Sequence, residues 1–143
     1  MNNILFQINE KLFLRDPQKT DTGQAIILKS IQMIDRMGFE QFTFRKLATE
    51  LETTEPTIYR YFENKQRLLH YLVDWYWTLI NFQIDYGVNN IPKAEERLKV
   101  CLQLLCGKKL PGASLHMNES ALHRIVISEL DKTFLTKSVD KDY

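Results

Sequence analysis

Apolar positions recur at helical spacing along most of the chain. From Asp21 or Thr22, either of which can cap a helix, Ile27, Leu28, Ile31, Ile34 and Met37 repeat until Gly38 supplies a stop, with Phe39 just beyond it. The spacing predicts a first helix of about four turns. Thr43 caps a short second segment in which Phe44, Leu47, Ala48 and Leu51 fall at i, i+3, i+4 and i+7. Glu52-Thr53-Thr54 interrupts the period. A third segment follows from about Glu55 to Phe62, capped by Thr54, with Pro56 in its first turn, where a missing N–H is tolerated. Asn64 caps a long fourth helix carrying Leu68, Leu69, Leu72, Val73, Tyr76, Leu79 and Ile80 to about Tyr86. Pro92 opens a fifth, whose stripe is Leu98, Cys101, Leu102 and Leu105 before Gly107. After a turn-rich connection containing Pro111-Gly112, Asn118 opens a sixth helix through Leu122, Ile125, Val126 and Leu130. That last apolar face is expected to be exposed, as a place where further helices or a partner would pack. Residues 1–21 hold short clusters (Ile4, Leu5, Phe6, Ile8; Leu12, Phe13, Leu14) ended by Asp16-Pro17, and read as an arm docked by its aromatics. The fold class is all-α.

Composition narrows the function classes. At 143 residues, 44% hydrophobic and 26% charged, the chain suits one domain or a small module with an appendage. With 19 Lys plus Arg against 18 Asp plus Glu, the net charge of +1 gives no bulk signal for nucleic acid, so such a role must rest on local placement. Cys101 and Cys106 lie five apart on a helix, about 500° of rotation, which points them in different directions. A disulfide or metal pair is not expected, and the thiols suit a reducing cytoplasm. No apolar run reaches the roughly 18 residues of a membrane span. The N-terminus shows no signal-peptide pattern. Cys106 with His116 or His123, and His70 with Asp74, lack an accompanying third group or oxyanion element, so no enzyme activity is expected. The Cys and His residues also miss zinc-site spacings, so neither a metal nor a cofactor is expected.

The informative stretch is Thr43 to Leu69: a short helix, a tight turn and a second short helix set between longer ones. That is the layout of a helix-turn-helix, in which the first helix braces the second and the second enters a major groove about 12 Å wide. Ile58 and Phe62, four apart, can face inward, leaving Thr57, Tyr59, Arg60 and Tyr61 outward. The string FTFRKLATELETTEPTIYRYFENKQRLL resembles the DNA-binding segment of the tetracycline-repressor (TetR) family, and the resemblance covers about residues 22–80. It implies a dimeric repressor whose N-terminal domain binds a pseudo-palindromic operator and whose C-terminal helical domain binds a small-molecule effector. Carried over by position, Thr43, Arg45 and Lys65 match phosphate contacts. Thr54, Thr57, Tyr59, Arg60 and Tyr61 match recognition-helix positions, with Thr57, Tyr59 and Arg60 assigned to base edges and Tyr61 to phosphate. Ala48 and Phe62 match core positions.

Three positions depart from the family pattern. Glu52 stands in a turn slot usually held by Gly, which is costly if that backbone is left-handed. Glu55 stands where a cation is common, and Pro56 replaces a frequent Gly or Ala. Between residues 43 and 70, Arg45, Lys46, Arg60, Lys65 and Arg67 oppose Glu50, Glu52, Glu55 and Glu63, so DNA contact is expected through a local patch.

The aromatic run on the fourth helix suits either a core or the wall of a ligand pocket. Because the family places its pocket beyond helix 4, Trp75, Leu79, Phe82 and Tyr86 are the candidate effector-binding residues. The expected organisation is an arm at 1–21, a helix-turn-helix domain at 22–66 and an incomplete helical ligand-binding and dimerisation domain at 67–143. The expected function is a cytoplasmic, homodimeric, ligand-responsive repressor bound to double-stranded operator DNA. The alternative is a small helical protein-interaction module that has lost DNA binding, favoured by Glu52 and Glu55.

Overall fold

The computed structural model describes residues 6–108 and 119–134, without side chains for the last two. The expected Asn118 cap, the Pro111-Gly112 connection, His116 and the charged run beyond residue 134 lie outside the described residues. Six α-helices and no strand occur among those described: α1 (Asp21–Met37), α2 (Phe44–Glu50), α3 (Glu55–Tyr59), α4 (Lys65–Val88), α5 (Ala94–Leu105) and α6 (Glu119–Glu129). The fold class is all-α, as the periodicity predicts.

Local chemistry sets most boundaries. Asn64 accepts a hydrogen bond from the Arg67 N–H at 2.8 Å and opens α4. Gly38 ends α1 at φ 81°, ψ 156°, a conformation essentially reserved for glycine. The cap of α1 is Thr20 rather than Asp21 or Thr22: its hydroxyl accepts from the Gly23 N–H at 3.0 Å. Gly23 itself lets a short 3-10 turn, Pro17–Lys19, lie against the helix, since a Cβ there would sit 2.3 Å from the Pro17 carbonyl oxygen. Pro92 stands ahead of α5 instead of opening it, with Lys93 as the cap. Arg97 donates to the Ile91 and Pro92 carbonyls, 3.0 Å each, and ties that approach down.

The core runs along α4, which is buried on nearly all sides from Arg67 to Tyr76. On one flank lie α1 and the pair α2–α3, contributing Ile26, Ile31, Leu47, Ile58 and Phe62. On others lie α5 and α6. The N-terminal segment belongs to this core. Ile8 and Leu12 are buried, the Phe6 ring meets Trp75 edge-on at 5.2 Å, and the Asn9 N–H donates to Asp74 on α4 at 3.2 Å. The expected exposed face of the last helix is corrected at three of its four residues: Leu122, Ile125 and Val126 are buried, because α6 packs on α1 and α4, while Leu130 is exposed.

Candidate nucleic-acid interface

The candidate surface is built from the N-termini of α2 and α3. Thr43 closes α2 by accepting from the Lys46 N–H at 3.2 Å, and Arg45 stands exposed on the first turn. After α2 the chain reverses through Leu51–Thr53, with Glu52 at φ 53°. The slot that favours glycine is therefore left-handed, and Glu52 occupies it with strain. The Thr53 N–H then returns to the Ala48 carbonyl at 2.9 Å and fixes the angle between the two helices.

On α3, Ile58 is fully buried, and Phe62 beyond the helix is too. This inward anchor leaves Thr54, Pro56, Tyr59 and Arg60 exposed and Thr57 half-buried on the opposite side. The two threonine hydroxyls lie 2.9 Å apart, so Thr54 Oγ1 pairs with Thr57 Oγ1 and makes no side-chain hydrogen bond to an α3 N–H, in contrast to the expected cap. Tyr59 keeps 47% of its surface exposed, while its ring edge rests on Phe44 at 5.0 Å. That contact holds the ring and turns the hydroxyl into a placed donor or acceptor. Arg60 follows the helix and is exposed.

Two of the expected contacts sit elsewhere. Tyr61 is only 3% exposed, with its hydroxyl 2.7 Å from Thr20 Oγ1 and its carbonyl accepting from the Leu14 N–H at 2.8 Å. The N-terminal segment thus takes up Tyr61, and α3 ends at Tyr59 rather than Phe62. Lys65 donates from Nζ to the carbonyls of Phe39 (3.0 Å), Glu40 (3.3 Å) and Phe42 (3.0 Å) and lies over the Phe39 ring. Its ammonium staples the α1–α2 loop to the start of α4, and burial holds its pKa below the ordinary lysine value. Sequence reasoning did not single out Arg15, whose guanidinium lies 5.4 Å above the Tyr61 ring. Only the docking of the N-terminal segment brings it there, and its sole trace in the sequence is a basic residue beside Asp16-Pro17.

Contacts within the fold withdraw charges of both signs from this surface, while Glu52 and Glu63 stay exposed. Glu50 turns toward α1, where Lys29 (3.8 Å) and Arg36 (3.2 Å) meet it. Lys46 donates to the Gln41 carbonyl at 2.7 Å and stays exposed, as Arg45 and Arg60 do.

Among the described residues, the candidate effector residues have different surroundings. Trp75 is buried under Phe6, and Phe82 and Tyr86 are exposed and stacked on each other at 6.5 Å. Leu79 lines a space of about 20 Å³ with Tyr76, Ile80, Gln83, Leu104 and His123, which has room for about one water-sized molecule. Tyr76 Oη and His123 Nδ1 lie 2.7 Å apart beside it, and burial raises the Tyr76 pKa. No group of three or more His, Cys, Asp or Glu side chains that could hold a metal ion occurs among the described residues, and no helix among them is long and apolar enough to cross a membrane.

A short brace helix, a strained turn and a second short helix presenting Thr, Tyr and Arg define a helix-turn-helix domain on a helical body. Residues 26–72 match the family model described as bacterial regulatory proteins, tetR family. Among curated proteins, it is 27% identical over 108 residues to the nucleoid occlusion factor SlmA of Photobacterium profundum, covering 73% of this chain and 55% of that protein. With the same factor of Shewanella putrefaciens it shares 28% over 106 residues, 73% of this chain and 54% of that one. The chain spans about half the length of the curated relatives it matches. In fold it is similar to AibR, solved in complex with isovaleryl coenzyme A and operator DNA, with a TM-score of 0.61, 20% identity and coverage of 83% of this chain and 60% of that one.

Proposed function

We propose that this protein is a transcriptional regulator that binds double-stranded DNA as a homodimer through α2 and α3. The observation that carries the proposal is the two-sided build of α3: Ile58 and Phe62 lock one side into the core, while Thr54, Thr57, Tyr59 and Arg60 occupy the other. Thr57, Tyr59 and Arg60 are the base-edge readers in this reading, and Thr43 and Arg45 the phosphate contacts. Tyr61 and Lys65 then act as positioning residues, one holding the end of the recognition segment and the other the loop ahead of Thr43. The sites on the operator are separated by about one helical turn, roughly 34–36 Å, or a multiple of it. An effector that tilts α4 changes that spacing and releases the DNA.

A second reading is a DNA-bound occlusion factor without a small-molecule effector. It is supported by the names of the curated relatives and by the small volume enclosed beside Leu79 and His123. Fluorescence anisotropy of the protein against its own upstream DNA and a scrambled duplex, over a salt series, tests the main reading. Sequence-selective binding is expected, lost in Tyr59→Ala. No binding by a verified dimer moves the reading to a protein-interaction module. A loss of operator affinity on titrating isovaleryl coenzyme A against the bound complex would favour the ligand-responsive reading.

A further inference from the structure

The segment ahead of α1 is pinned at both ends. At one end Phe6 meets Trp75 and Phe82 edge-on, at 5.2 and 6.0 Å, and the Asn9 N–H donates to Asp74, all three on α4. At the other end the Leu14 N–H donates to the Tyr61 carbonyl at 2.8 Å. Arg15 comes next in the chain and is exposed, with its guanidinium 5.4 Å above the Tyr61 ring. Asp16 is turned away from it: Oδ1 accepts from the Gln18 N–H at 3.0 Å, and Oδ2 meets the Lys19 ammonium at 3.6 Å. No carboxylate among the described residues pairs with Arg15. A guanidinium with a fixed base, an open outer face and no counter-ion is prepared to meet an anion from outside.

Tyr61 shows where that anion lies. Tyr59 and Tyr61 lean opposite ways at the end of α3, the first onto Phe44 at the start of α2, the second onto Thr20 at the cap of α1, with Arg60 exposed between them. Thr43 and Arg45 stand beside Phe44, and Arg15 stands on the other flank with Tyr61. A helix lying in a major groove has a phosphate backbone along each flank, because the groove is bounded by both strands. Net charge does not decide the matter, since Arg15, Lys19 and Arg60 are offset by Asp16, Asp21 and Glu63 in the two stretches that meet here. The placement of one unpaired guanidinium does.

We propose that Arg15 is a phosphate contact on the flank of α3 opposite Thr43 and Arg45, so that the N-terminal segment is a third element of the DNA-binding surface. This rests on the DNA-binding reading and adds to it a residue outside the stretch, 26–72, that matches the family model. The contact supplies affinity and register without reading sequence.

Anisotropy of the full chain on its own upstream DNA and the scrambled duplex, over a salt series, tests it with three variants. Arg15→Gln and Arg15→Met keep an unbranched chain over the Tyr61 ring and lose the charge. Both are expected to weaken the two duplexes by the same factor and to flatten the slope of log K against log salt by about 0.9 per bound subunit. Arg15→Lys should keep the wild-type slope. All three should melt close to the wild type, whereas a residue that only packs on Tyr61 would move the melting curve and leave the slope alone. An Arg15→Gln protein with the wild-type slope, an Arg15→Lys protein as flat as Arg15→Gln, or a loss confined to the selected duplex overturns the proposal. A wild type that binds neither duplex removes the DNA-binding reading and this proposal together. A wild type that discriminates the duplexes, loses that in Tyr59→Ala and ignores Arg15→Gln sinks Arg15 alone.

Discussion

Arg124 on α6 grips Asp35 on α1 with two parallel hydrogen bonds, Nε to Oδ1 at 2.9 Å and Nη2 to Oδ2 at 2.8 Å. The pair joins α6 to α1, the helix ahead of the helix-turn-helix. Farther along α6, Glu129 accepts from the Phe39 N–H at 3.4 Å and is paired with Lys132. Both links end at the C-terminal part of α1 or the loop after it, just ahead of Thr43.

The Arg124 guanidinium holds the Asp35 carboxyl below its ordinary 3.8. A carboxylate whose folded pKa is depressed adds stability that is fully present above the unfolded value and is lost as pH falls through the folded one. Because the pair is at the surface, the contribution is small, but its pH signature is specific. Urea midpoints of the wild type and Asp35→Asn should differ at pH 7 and converge as pH falls below the ordinary 3.8. A separation that persists unchanged to low pH would mean that the carboxylate's charge is not what α6 uses.

The strain at Glu52 can be relieved by one substitution. A left-handed L-residue costs about 1–2 kcal/mol, and glycine returns roughly 0.4–1 kcal/mol of that as unfolded-chain entropy. Glu52→Gly should therefore stabilise the protein by up to about 1 kcal/mol, seen as a thermal midpoint a few degrees higher. A lower midpoint would show that the Glu52 side chain contributes more than its backbone costs.

Gly23 should behave in the opposite way to an ordinary helical glycine. Ala in a helix interior usually gains about 1 kcal/mol over Gly. Here the added Cβ would fall 2.3 Å from the Pro17 carbonyl oxygen and 2.5 Å from the Pro17 Cα, both backbone atoms that cannot rotate aside. Overpacking of about 1–3 kcal/mol then exceeds the propensity gain. Gly23→Ala is expected to lower the thermal midpoint, and an increase would mean that the Pro17–Lys19 turn is free to lift off α1.

These residues mark where reading the sequence succeeds. Thr43, Asn64 and Gly38 act within a few positions of themselves, through caps and a glycine-only backbone, so their roles are visible in the string. The left-handed slot at Glu52 is legible for the same reason. The roles of Tyr61, Lys65 and Trp75 depend on what arrives from far away: Leu14 and Thr20, the loop carbonyls at 39–42, and Phe6. A tyrosine two positions from Tyr59 looks equally available on a helical wheel that continues to Phe62. The wheel fails because α3 ends at Tyr59 and the N-terminal segment packs over Tyr61, taking its hydroxyl and carbonyl. Leu122, Ile125 and Val126 were legible as a face but not as a buried one, since nothing in the sequence says that α1 and α4 cover it.

Tyr59 and Tyr61 therefore separate binding from stability when each loses only its hydroxyl. Tyr61→Phe removes a buried hydrogen bond to Thr20 and should cost about 1 kcal/mol of stability, with DNA affinity unchanged at temperatures where the variant is folded. Its ring remains in place under Arg15 and against the core, so no cavity adds to the loss. Tyr59→Phe keeps the ring edge on Phe44 and leaves the melting curve within about 0.5 kcal/mol of wild type, because its hydroxyl is at the surface. If that hydroxyl reads the groove, affinity for the selected duplex falls about 5- to 10-fold, while binding to the scrambled duplex is unaffected. Melting curves and anisotropy on the same two preparations decide the matter. A Tyr59→Phe protein that binds as the wild type does would remove this hydroxyl from the recognition surface and leave Thr57 and Arg60 to read the bases.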